Sequence, residues 1–174
     1  MLQEYKNRIE NLSSLLVDID IIEPDFWVGV TDFSDNKQSL IINGNQIILP
    51  EKIRFPIVRF INDEIVLVAN SRARTEKNAW IIKSSGEVVT NFSIGDAIEN
   101  IVITKDFIVA AYFDEAAACG EGIEVFNFSG ERLFGYLEIF GIEEVIISDC
   151  YASTLVKRKQ NHFLPLYRIS VSSF

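Results

Sequence analysis

Four carboxylates lie close together in the repeat pattern of this chain. Asp114 and Glu115 stand at the start of a long loop, and Asp96 and Glu99 lie earlier in the same repeat. Clustered carboxylates bind a cation or act as general acid and base. Successive residues of a strand point to opposite faces, so Asp114 and Glu115 reach one site only if a turn separates them. A solvated loop start is therefore the favoured interpretation, with a carboxylate site around Asp96, Asp114 and Glu115 as the alternative.

Two arginines, Arg72 and Arg74, occupy the equivalent loop of the preceding repeat. An arginine pair binds anions through its planar, bidentate donors. Neighbouring repeats would also bring these arginines near Asp114 or Glu115, which predicts a structural ion pair. We favour the structural role for the arginines. The candidates for ligand or partner binding are Arg72, Arg74, Asp96, Asp114 and Glu115.

The remaining reactive side chains do not form a catalytic or metal site. His162 is the only histidine and falls in a polar break, so a nucleophile–histidine pair would depend on it alone. Cys119 and Cys150 lack the spacing of a zinc site, and we expect reduced thiols, with a disulfide left open. Residues 120–122 precede a predicted strand rather than a helix, unlike a phosphate-binding loop. The sequence thus predicts no catalytic residue, no metal and no cofactor.

Composition limits the classes of partner. The 174 residues are 48% hydrophobic and 24% charged, typical of a globular domain, and the net charge is −9. This charge argues against nucleic acid and anionic membranes, which require clustered Lys and Arg, and is compatible with a basic partner. The sequence shows neither an apolar run long enough to cross a membrane nor a signal peptide, so we expect a cytoplasmic protein.

The segments that must position the candidate site residues recur in the sequence every 44 residues. Residues 97–104 align with residues 141–148, and the turn Ser85-Gly86-Glu87 aligns with Ser129-Gly130-Glu131. Short β segments at a fixed period of this size are typical of β-propeller blades. The sequence therefore predicts an all-β fold, a β-propeller-like array of four-stranded blades that forms an incomplete or small ring.

One propeller-like domain is expected over the whole chain. An apolar stripe at helical spacing predicts a short amphipathic N-terminal helix within residues 1–20. The pair Asn43-Gly44 predicts a type I′ hairpin turn in the next segment. The expected segments after the helix are a partial blade at 26–50, complete blades at 53–95 and 96–140, and a degenerate blade at 141–174.

So few blades leave strand edges exposed unless something covers them. Three arrangements are open: a small four-bladed ring, an arc that pairs with a second copy through its open edges, or an arc whose edge the helix covers. In the two complete blades the longest loops, residues 70–78 and 114–122, follow the second strand. Equivalent loops emerge on one face of an array, where binding surfaces usually lie.

Four short segments of the chain form a recognisable set: Asn78-Ala79, Gly95-Asp96-Ala97-Ile98-Glu99, Tyr112-Phe113-Asp114-Glu115 and Asp149-Cys150-Tyr151-Ala152. They resemble segments of an uncharacterised bacterial family of β-propeller-like, WD-repeat-like proteins. The resemblance implies the propeller fold and no activity. Ala97 and Ala116 stand where that family usually has glycine, and the similarity ends after Ala152. The chain is therefore interpreted as either a truncated or frameshifted member or a naturally divergent one.

The expected function is that of a non-catalytic protein-interaction module. Its partner would be a protein or peptide that contacts the loop face formed by residues 70–78 and 114–122. One alternative is an acidic immunity- or inhibitor-type protein that binds a basic partner. The other is a propeller hydrolase or lyase that uses the carboxylates named above.

Overall fold

Consecutive antiparallel sheets make up the described structure. The computed structural model describes residues 15–23, 26–32, 38–49, 51–72, 76–113, 122–140, 152–156 and 162–166. Three of its sheets have four strands and one has two, and within each the strands pair in the order in which they follow in the chain. Such four-stranded meanders are propeller-like blades, which confirms the predicted fold class.

The first sheet contains β1 (Leu15–Glu23), β2 (Phe26–Asp32), β3 (Gln38–Ile42) and β4 (Asn45–Ile48). The second contains β5 (Pro56–Asn62), β6 (Ile65–Asn70), β7 (Ala79–Lys83) and β8 (Val88–Phe92). The third contains β9 (Ile98–Ile103), β10 (Ile108–Tyr112), β11 (Ile123–Phe126) and β12 (Arg132–Gly135). A short helix, α1 (Tyr136–Phe140), follows, and β13 (Ala152–Val156) pairs with β14 (His162–Leu166).

The strand β1 corrects the predicted N-terminal helix. Residues 15–20 are strand, so the helix prediction for residues 1–20 is wrong there, and residues 1–14 lie outside the described part of the chain. Because β1 pairs with β2, the expected partial blade at 26–50 is a complete four-stranded sheet. Tertiary bonds favour the strand: Asp18 Oδ2 accepts the Val58 N–H at 2.7 Å, and Asp20 Oδ2 accepts the Phe60 N–H at 2.8 Å.

The 44-residue period is confirmed in the strands themselves. Strands β7 and β11 begin 44 residues apart, as do β8 and β12, and as do β10 and β13. The turns between β7 and β8 and between β11 and β12 carry Gly86 and Gly130 at φ of 90° and 86°. Only glycine adopts this backbone at low cost, which explains why the Ser-Gly turn recurs.

The Asn43-Gly44 turn between β3 and β4 has positive φ at both residues, 50° and 87°, as a type I′ turn requires. The predicted hairpin is therefore confirmed. No helix within the described residues is long and apolar enough to cross a membrane.

The chain divides into two compact units, which we describe separately. The first unit comprises residues Met1–Asn70 and Ala79–Thr90, and the second comprises Ser71–Asn78 and Asn91–Phe174. Buried side chains of β2, β3, β5, β6 and β7 form the core of the first unit. In the second unit, Val109, Ala111 and Ile123 are buried together, and the Tyr136 side chain of α1 packs against them. All of the structure around the candidate site belongs to the second unit.

Candidate binding site

Two of the five predicted site residues, Arg72 and Asp96, lie in the described structure, and Arg74, Asp114 and Glu115 lie outside it. Arg72 follows β6 and is half-buried. Its guanidinium carbon lies 5.6 Å from the centroid of the Phe113 ring, within range of a cation–π interaction. The structure thus brings the start of the first long loop against the start of the second. The ion pair expected between these loops stays a prediction.

The segment 94–98, which we call the corner, connects β8 to β9 beside these loop starts. Asp96 is exposed, and its Oδ1 accepts the Ala97 N–H at 2.8 Å. Gly95 has a φ of 89° and Ala97 a φ of 55°. Both angles lie in the left-handed region, which glycine adopts freely and alanine does not. Holding alanine in that region costs on the order of 1 kcal/mol, so the surroundings must fix it.

Backbone hydrogen bonds join the corner to both loop starts. The Ile98 N–H donates to the Ser71 carbonyl at 3.0 Å, and the Phe113 N–H donates to the Ala97 carbonyl at 2.8 Å. Ala97 is only 2% exposed, so these bonds form away from water. The corner therefore holds the beginnings of both long loops in a defined position.

Asn78, which the sequence did not single out as a site residue, fixes the corner from one side. Its side chain lies just before β7, and the residue is 1% exposed. The Oδ1 atom accepts the Ile94 N–H at 3.0 Å, and Nδ2 donates to the Gly95 carbonyl at 2.6 Å. One buried amide thus satisfies a backbone donor and a backbone acceptor of the corner. No spacing rule would have revealed this role, because the partners lie 16 and 17 residues away.

Tyr112 fixes the corner from another side. A Cβ placed on Gly95 would lie 2.9 Å from the Tyr112 ring, so only glycine leaves room for it. The Tyr112 hydroxyl lies 2.7 Å from the Ile94 carbonyl oxygen and 2.7 Å from Glu124 Oε2. Burial, with the charge and hydrogen bond of Glu124, raises the Tyr112 pKa well above its ordinary value, against the weaker opposing effect of Arg132. The phenol therefore stays neutral at neutral pH.

A chain of ionic contacts continues from Tyr112 to the surface. Arg132 Nε donates to Glu124 Oε1, and Arg132 Nη1 donates to Glu138 Oε2 at 2.8 Å. Hydrogen bonds to Glu138 and Glu124 raise the Arg132 pKa further above its already high value. Glu124 is the least exposed of the three, and the Arg132 contact orients its carboxylate towards Tyr112. The sequence did not reveal these residues as a group, because they come together only through the pairing of β10, β11 and β12 and the position of α1 after β12.

The described residues of the site offer groups that suit recognition. They combine a cation over an aromatic ring with an exposed carboxylate on a fixed backbone. No group of three or more His, Cys, Asp or Glu side chains suited to a metal ion occurs among the described residues. His162 is the first residue of β14, and Cys119 and Cys150 lie outside the described ranges. The predictions that concern these three residues stay predictions.

Comparison with known proteins adds little beyond this geometry. No protein-family model and no curated protein matches the chain. Among solved structures, Hsv2 of Kluyveromyces lactis is 12% identical to this chain, with a TM-score of 0.46. The match covers 70% of this chain and 36% of the Hsv2 chain. A form of KlHsv2 with loop 6CD replaced by a Gly-Ser linker gives the same identity, TM-score and coverage of this chain, and the match covers 39% of that protein. The chain thus spans less than two fifths of these proteins, and the fold assignment rests on the strand order and pairing above.

Proposed function

We propose that this protein is a non-catalytic binding module whose partner is a protein or peptide. The partner contacts the face on which the two long loops, residues 70–78 and 114–122, begin. One observation carries the proposal: the corner, with Ala97 at positive φ, is hydrogen-bonded at once to Ser71 and to Phe113. Local strain retained at a loop junction is typical of functional sites.

A fixed pair of loop starts favours binding for a simple energetic reason. Association costs conformational entropy, and a surface that is already ordered loses less of it. Because the corner already orders the two loop starts, they lose less conformational entropy when a partner binds. Binding residues also concentrate on loops that a rigid scaffold positions, and here the corner is hydrogen-bonded to Ser71 and Phe113 at the two loop starts.

The Arg72–Phe113 contact supplies the chemistry of recognition. A guanidinium is a planar group with five N–H donors, whose geometry suits carboxylates and backbone carbonyls, and it also stacks on aromatic rings. Arginine and aromatic residues are enriched among the few side chains that dominate interface affinity. Asp96, exposed beside them, adds a carboxylate that accepts from a peptide N–H or a basic side chain. We therefore propose Arg72, Phe113 and Asp96 as the described part of the contact surface.

A selection from a phage-displayed random peptide library tests this proposal. Peptides enriched on the native protein are then measured for affinity against Arg72→Ala and Arg54→Ala. Arg54 is a matched control, since its guanidinium carbon lies 5.0 Å from the Phe55 ring in the first unit. We expect Arg72→Ala to weaken binding about tenfold or more and Arg54→Ala to leave it unchanged. Equal affinities for the native protein and Arg72→Ala, or no enriched peptide, would contradict the proposal.

A further inference from the structure

The Tyr112 hydroxyl faces two acceptors with a single hydrogen. The Ile94 carbonyl oxygen and Glu124 Oε2 each lie 2.7 Å from it. A phenol donates one hydrogen bond, and a carbonyl or carboxylate oxygen only accepts. The hydroxyl therefore bonds either the corner or Glu124 at any moment. When the hydrogen points to Glu124, the Ile94 carbonyl receives no hydrogen bond from Tyr112.

We propose that Tyr112 is a positioning residue of the candidate site, and that the direction of its hydroxyl hydrogen sets how firmly the corner holds both loop starts. With the hydrogen on Ile94 the corner is tied to β10, and with the hydrogen on Glu124 it is released from that bond. The biological meaning of this device rests on the proposed function. Its physical existence does not, because it acts in the protein without a partner.

The corner transmits the effect to both loops because its own bonds are shared between them. The Ile98 N–H reaches Ser71 at the first loop, and the Ala97 carbonyl receives the Phe113 N–H at the second. The left-handed conformation of Ala97 carries a steric cost that favours relaxation once the restraints weaken. A displaced corner therefore breaks both bonds together, so the two loop starts open as one unit.

Glu124 is the group that competes for the hydrogen, and its contact with Arg132 keeps it in place. Arg132 Nε binds Oε1, which leaves Oε2 towards Tyr112. In Glu124→Gln the amide nitrogen donates to the Tyr112 hydroxyl oxygen, while the amide oxygen still accepts from Arg132. The Tyr112 hydrogen then has Ile94 as its only acceptor. This variant should tighten the corner, whereas Tyr112→Phe should loosen it.

Amide hydrogen exchange followed by NMR distinguishes these two directions. The reporters are the Ile98 and Phe113 amides, and the Leu49 amide, bonded to the Gln38 carbonyl at 2.9 Å in the first unit, is the internal reference. We expect Tyr112→Phe to accelerate exchange of both reporters about tenfold, the effect of losing one buried hydrogen bond. We expect Glu124→Gln to slow both severalfold, with Leu49 unchanged in either variant.

A control variant, Lys83→Ala, removes an exposed ion pair with Glu87 in the first unit and should leave both reporters unchanged. Faster exchange in Glu124→Gln, or a response of one reporter without the other, would overturn the inference. If Tyr112→Phe does not fold, Glu124→Ala takes its place and must slow both reporters, because it removes the competing acceptor. These outcomes are independent of the peptide measurements on Arg72, so this inference and the proposed function fail separately.

Discussion

Replacing Asn78 by alanine tests the central support of the corner. The substitution removes two hydrogen bonds, of 3.0 Å from the Ile94 N–H and 2.6 Å to the Gly95 carbonyl. Ile94 is fully buried, so no water reaches its N–H in compensation. An unsatisfied buried group costs about 1–3 kcal/mol, and the Gly95 carbonyl is only partly shielded. We therefore expect the free energy of unfolding to fall by about 3 kcal/mol.

Urea denaturation at neutral pH measures this loss. With a slope of about 2 kcal/mol per molar urea, the midpoint should fall by about 1.5 M. Asn62→Ala is the matched control: its side chain is exposed and accepts one N–H, from Glu64, so we expect a loss below about 1 kcal/mol. Asn78→Asp should be as damaging as alanine, since it places an oxygen against the Gly95 carbonyl. If Asn78→Ala costs no more than Asn62→Ala, the amide does not support the corner and the reasoning is refuted.

Three further predictions concern single side chains. Gly130→Ala should destabilise the protein by about 2 kcal/mol more than Gly44→Ala in urea denaturation. Both glycines have positive φ, but only the added Cβ at Gly130 would collide with a neighbour, the Phe92 side chain. Thr31→Val should raise the free energy of unfolding by about 1 kcal/mol in the same assay, since Thr31 Oγ1 is buried and has no hydrogen-bond partner among the described residues; no gain would show that the hydroxyl is satisfied. Folding raises the Tyr112 pKa, so as the pH rises the unfolded chain loses the Tyr112 proton before the folded protein does. The free energy of unfolding should therefore fall above about pH 10, by up to ~1.4 kcal/mol per pH unit. The Tyr112→Phe variant should lack this contribution to the pH dependence.

Local and periodic signals in the sequence predicted the fold well. The Asn43-Gly44 turn followed from backbone sterics alone, and the 44-residue period matches the spacing between the third strands and between the fourth strands of the second and third sheets. The strand β1 was missed because the helical spacing of apolar residues that precede it led us to extend the predicted helix across its first residues, up to position 20. The hydrogen bonds that favour the strand join residues distant in sequence: the carboxylates of Asp18 and Asp20 accept N–H groups of β5, 40 residues away.

The candidate site was predictable only where the repeat itself carried the information. The equivalence of the two long loops led to the expectation that they emerge on one face, and the Arg72–Phe113 contact brings their starts together. The roles of Asn78 and Tyr112 could not be predicted, because both side chains act on backbone groups of the corner. The positive φ of Ala97, 55°, was not predicted either, since alanine rarely adopts this conformation.

The buried amide before the third strand recurs in the first sheet. There Gln38, the first residue of β3, bonds both backbone groups of Ile53, donating to its carbonyl at 2.9 Å and accepting its N–H at 2.8 Å. Asn78 does the same to the chain that leaves β8. In both sheets an amide side chain therefore ties down the segment that leaves the fourth strand.

The 44-residue period places Gly122 in the third sheet where the second has Asn78, and glycine has no side chain to form this bridge. The chain that leaves β12 there forms α1 instead, and Tyr136 secures it by packing on the core of the second unit. Loss of the amide thus coincides with the first departure from the blade pattern in the described structure. Because Gly122 has a φ of 69°, which asparagine tolerates better than other residues, Gly122→Asn is the substitution that would restore the missing amide at least conformational cost.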